Sequence, residues 1–70
     1  MMPLMLASPG ETCTIRRVGG SEQLRLHIEE MGFVPGSEVT VVNSMGGNLI
    51  VNVKNTRIAL SREMAGKIFI

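Results

Sequence analysis

Polar and apolar positions follow two different periods along this chain, and each change of period marks an element. Residues 12–18 alternate, with Cys13, Ile15 and Arg17 on one face and Thr14, Arg16 and Val18 on the other. A period of two belongs to a strand, and the Ser8-Pro9-Gly10 turn before it predicts a start near Glu11. Gly19-Gly20 closes that strand, and Ser21 stands where a helix N-cap belongs, with Glu22 placed to interact with the helix dipole. The spacing then predicts a helix over residues 22–31, because Leu24, Ile28 and Met31 recur at i, i+4 and i+7 and so share one inward face. Leu26 lies off that stripe and is expected at the surface. Gly32 is placed to stop the helix, and Pro35-Gly36 fits the central positions of a type II turn, so a helix stop and a strand start are joined within a few residues.

Period two returns after this junction. Residues 38–43 read as a strand rich in Val39, Val41 and Val42, closed by Ser44-Met45-Gly46-Gly47. Asn48–Val53 is the next strand, with Leu49, Val51 and Val53 on one face. Lys54-Asn55 turns the chain into Thr56–Leu60, which carries Ile58 and Leu60. Ser61 caps a helix of one or two turns through Ala65 that stops at Gly66, and residues 67–70 form a closing strand. The predicted fold is mostly β with short helices, in the order strand, helix, three strands, short helix, strand. Five short strands are too few for an ordinary sandwich, whereas a small, strongly bent barrel protects its edges, with the last strand able to pair with the first.

Length and composition narrow the function. Seventy residues, 44% of them hydrophobic, make a single domain over residues 1–70. One cysteine forms no internal bridge, which fits a reducing cytosol. The apolar start is interrupted by Pro3 and has no basic leader, so it is a poor signal peptide, and no apolar run approaches the roughly 18 residues of a membrane span. The expected localisation is cytoplasmic. Seven basic against six acidic residues leave a formal charge of +1, and the aromatics are two phenylalanines. That balance argues against an RNA-binding barrel, which would need a basic patch and stacking rings.

Met31-Gly32-Phe33-Val34-Pro35-Gly36-Ser37-Glu38-Val39 gives the chain its most specific string. Together with Leu24 through Glu30, Ile58 through Ala65, and Lys67-Ile68-Phe69-Ile70, it resembles the ferrous iron transport protein A (FeoA) family over nearly the whole chain. The resemblance implies an SH3-like small β-barrel, cytoplasmic, working as an accessory of the membrane iron permease FeoB, whose cytosolic end carries a GTPase domain. A related domain occurs in iron- and manganese-dependent repressors of the diphtheria toxin repressor type, so a metal-responsive regulatory domain is the alternative. No winged-helix segment accompanies these seventy residues, and the expectation favours the transport accessory.

Candidate chemistry is sparse. There is one histidine, one cysteine and no aspartate, so a Ser-His-Asp triad is impossible and a Cys-His pair would require Cys13 to meet His27. No enzyme is expected, and Cys13 reads as a small buried hydrophobe. His27 and Glu30, three apart on the helix, could share a weakly held divalent transition metal such as Fe2+, Zn2+ or Mn2+, although a solvated helix face explains the same spacing. Glu29 and Glu30 occupy the last helical turn, where the dipole disfavours negative charge, and Arg25 only partly offsets them. The favoured site is a partner surface at the helix stop. Leu26, Phe33 and Val34 cannot all point inward if Leu24, Ile28 and Met31 fill the core, and Pro35 and Arg25 flank them. Phe33 nonetheless reads first as an ordinary core residue, and Leu26 is the better candidate for contact. Through the resemblance, one of Arg16, Arg25 and Arg57 is a candidate arginine finger toward the permease GTPase, with solubility as the plainer explanation.

Overall fold

A break in the alternation of residues 12–18 organises the molecule. In the computed structural model, which describes residues 1–70, the predicted first strand is two strands, β1 (Thr12–Thr14) and β2 (Arg17–Val18). Ile15 and Val18 are both buried although simple alternation puts them on opposite faces, and Arg17, which alternation puts on the face of Ile15, is exposed. The cause is a change of hydrogen-bonding partner. Ile15 N–H donates to the Ser37 carbonyl at 2.9 Å, while Arg16 N–H donates to the Phe69 carbonyl at 2.8 Å. The backbone leaves one ladder for another between these residues, and the turn of the chain resets which side chains face inward.

Ser21 Oγ accepts from Leu24 N–H at 3.2 Å and starts α1 (Glu22–Glu30), which ends one residue before the expected limit with Met31 as its cap. Ile28 is buried, and Leu24 and Met31 pack half-buried beside the core. β3 (Glu38–Met45) runs two residues beyond its predicted end, because the two-residue turn is Gly46-Gly47, both at positive φ. Its register with β4 (Asn48–Val53) shifts at Val42: Val41 pairs with Val51 and Asn43 with Ile50. β5 (Thr56–Leu60) follows the Lys54-Asn55 turn as predicted. Ser61 Oγ accepts from Met64 N–H at 3.2 Å to cap α2 (Arg62–Ala65), and β6 (Ile68–Phe69) closes the chain.

The antiparallel sheet β1-β3-β4-β5 and the ribbon β2-β6 enclose one core of 14 apolar residues with no buried polar side chain. Phe69 pairs with Arg17, so the last strand does meet the second half of the first, and the Arg17 guanidinium lies 4.7 Å from the Phe69 ring centre. The ladders do not join into one closed ring. The result is an SH3-like fold with open seams, one of them filled from the N-terminus. There Met2 and Ile70 exchange backbone hydrogen bonds at 3.0 and 2.9 Å, and a 3-10 turn over Leu4–Leu6 buries Leu4 completely.

Candidate functional site

The helix stop forms because two backbone bonds close it at once. Gly32 N–H donates to the Glu29 carbonyl at 3.0 Å and Phe33 N–H to the Ile28 carbonyl at 3.4 Å, the paired pattern of a Schellman cap, with Gly32 at φ +105°. The hydrophobic contact that accompanies such a cap joins the residue after the glycine to the one five before it, which here are Phe33 and Ile28, both 0% exposed. Ser37 N–H then donates to the Val34 carbonyl at 3.0 Å across Pro35-Gly36, with Gly36 at φ +93°, as a type II turn requires. The cap ends at Phe33 and the turn begins at Val34, whose N–H donates to the Gly32 carbonyl at 3.1 Å, so α1 and the start of β3 are held by consecutive hydrogen bonds.

This geometry sorts the residues expected at a partner contact. Leu26 is 48% exposed, Pro35 is exposed, and Val34 and Arg25 are half-buried. Phe33 is corrected: it offers no surface, because the Schellman cap turns its ring onto Ile28 in the core. Leu26, Arg25, Val34 and Pro35 therefore remain as candidate contact residues on and just beyond α1. Other large apolar side chains are exposed elsewhere, namely Met1, Met2, Leu6 and Met45.

His27 and Glu30 are both exposed, and no group of three or more His, Cys, Asp or Glu side chains is placed to hold a metal ion. Two ligands on an exposed helix face do not complete a coordination shell within one copy of the chain. Cys13 is half-buried rather than buried, packs beside the core, and has its thiol pushed up from its ordinary pKa, first by burial and then by the Glu11 carboxylate. Such a thiol is a poor nucleophile at neutral pH. Arg57 is exposed on β5 as expected, and Arg16 is exposed in the break between β1 and β2 rather than on a strand.

One feature of the outer sheet surface escaped the sequence. Register aligns Thr12, Thr40, Asn52 and Arg57 in a row across all four strands of the large sheet. Thr12 and Thr40 share a hydroxyl hydrogen bond at 3.0 Å, and Arg57 Nε donates to Asn52 Oδ1 at 3.4 Å. This row floors an open cleft of about 780 Å³ whose lining contains no hydrophobic residue. The signal was available as the outward half of each strand, but polar outward positions read as solvated until the register between strands brings them into one row.

Against known proteins, the sequence profile of the FeoA domain matches residues 2–70. A Methanocaldococcus jannaschii protein that carries the name Fe(2+) transport protein A is 29% identical over 70 residues, which is 100% of this chain and 85% of that one. The FeoA of Stenotrophomonas maltophilia, solved in complex with zinc and described as a prokaryotic SH3 domain protein, superposes with a TM-score of 0.86 at 27% identity, covering 99% of this chain and 88% of its own. A manganese-dependent transcriptional repressor shares the fold, with a TM-score of 0.87 at 20% identity, over 97% of this chain and 39% of the repressor.

Proposed function

The chain belongs to the FeoA domain family, whose members are ferrous iron transport accessory proteins, and from that premise we propose that it docks in the cytoplasm on the membrane iron permease FeoB and regulates it. The observation that carries the reading is Leu26, a large apolar side chain 48% exposed on α1. It belongs to a helix whose far end is fixed by the Schellman cap and the type II turn, with Val34 and Pro35 just beyond. An apolar residue on a fixed helix, with Glu22 and Glu30 one turn away on the same face, pays little backbone ordering entropy on binding and suits a protein partner. No helix is long and apolar enough to cross a membrane. The role is non-enzymatic: the reading gives Arg25 a place at the docking edge rather than in phosphoryl transfer. Retention on the immobilised cytosolic part of the permease tests it, with wild type held and Leu26→Asp lost.

His27 and Glu30 enter this reading as a weak divalent-metal pair that a ligand from another molecule would have to complete, a role supported by the zinc complex of the Stenotrophomonas maltophilia relative. Calorimetric titration with ferrous, manganous and zinc ions is expected to give a weak heat for wild type that His27→Ala removes. Identical heats for the two proteins would remove the pair from the proposed role. The regulatory alternative draws on the shared fold of the repressor alone.

A further inference from the structure

We propose that the polar cleft on the outer face of the large sheet binds an acidic, extended polypeptide segment, with Lys54 and Arg57 as its charge contacts. This site is separate in its residues from the Leu26 surface, and neither inference depends on the other.

The lining selects the occupant. It has no apolar or aromatic side chain, so it offers nothing to a lipid tail, a hydrophobic peptide or a stacked base. Its charged groups are Lys54 and Arg57 against Glu38 alone, and the remaining lining residues are hydroxyls and amides. Two cations are too few for the repeated phosphate contacts of a nucleic acid, but they match one or two carboxylates. Around them Thr12, Thr40, Asn52 and Asn55 present both donors and acceptors, as the peptide groups of an extended chain require. The row from Thr12 to Arg57 crosses four strands, roughly 14 Å at the usual strand spacing. That is about four residues of extended polypeptide.

The positive end of the cleft is also preorganised. Arg57 is oriented by Asn52 Oδ1 through its Nε, which leaves both guanidinium amino groups for a carboxylate. Lys54 sits in a two-residue turn at φ +50°, followed by Asn55 at φ +63°. Glycine would adopt these angles without strain. The lysine stem runs past Gly32, its Cδ 3.5 Å from where a Cβ on that glycine would lie. Glu38 lies just beyond the Val39–Val53 pair, on the same side of the ladder as Lys54, so it offsets that cation more than Arg57, and the acidic residues of the occupant belong nearest to Arg57.

Amide NMR of the full chain provides the test, using an end-blocked tetraglutamate peptide as probe. Saturable shifts are expected at Thr40, Asn52 and Asn55, with binding at least tenfold weaker for end-blocked tetraglutamine. Lys54→Asn/Arg57→Gln should weaken tetraglutamate binding at least tenfold, and Arg57→Gln alone, away from the turn, should weaken it severalfold. Asparagine suits the left-handed turn, so the double variant should keep the wild-type spectrum elsewhere. Absence of saturable shifts at these amides, equal affinity for citrate, inorganic phosphate or a short RNA, or unchanged affinity in the folded variants would overturn the proposal.

Discussion

Gly32 carries more of the architecture than its size suggests. At φ +105° an added side chain would be strained whatever the space around it, and the atom nearest to a Cβ placed there, Lys54 Cδ at 3.5 Å, is at ordinary contact distance. The cost of Gly32→Ala is therefore conformational rather than a clash. A left-handed alanine costs about 1–2 kcal/mol, offset in part by roughly 0.4–1 kcal/mol from a less flexible unfolded chain. Urea unfolding should show a net loss of about 1 kcal/mol for Gly32→Ala. A loss within error of zero would mean that the Schellman cap does not hold the junction. The glycine's role was legible in the sequence because Gly32 follows a helical stripe and precedes a turn pair. The burial of Phe33 was legible as the plainer explanation, but its cause was not, since it depends on the cap delivering the next residue inward, and spacing along the chain does not show that direction.

Among the elements, β4 and β5 were readable to the residue, because Leu49, Val51 and Val53, and then Ile58 and Leu60, recur at every second position between residues able to turn. α1 was readable from Ser21 and from a stripe that repeats at helical spacing, and the same spacing placed Leu26 outside. The β1–β2 break was hidden: the polar and charged residues around it continue a plausible alternation, and only the switch from the Ser37 carbonyl to the Phe69 carbonyl reveals that the inward face changes. The cleft was hidden for a related reason. Its residues come from four strands, and their alignment is a property of register between strands rather than of any one of them.

At the scale of the whole molecule, a seventy-residue domain without a disulfide depends on every buried side chain it has. The N-terminal segment contributes one of the largest, and Leu4 and Leu6, alike in sequence, have opposite fates at 0% and 67% exposure. Leu4→Ala should cost about 2–5 kcal/mol, whereas Leu6→Ala should stay within about 0.5 kcal/mol; equal effects would contradict the packing of the 3-10 turn. The outer surface is then available for partners, and the central claim is that α1 supplies the contact with the iron permease. The most direct measurement is the affinity of the full chain for the permease's cytosolic part, determined by titration for wild type and Leu26→Asp, with thermal unfolding of both proteins alongside. The expected result is an affinity at least tenfold weaker for the variant, with the two proteins unfolding at closely similar temperatures, because Leu26 is half out of the core. Equal affinities in a folded variant, or no binding by wild type with and without guanine nucleotide, would contradict the claim.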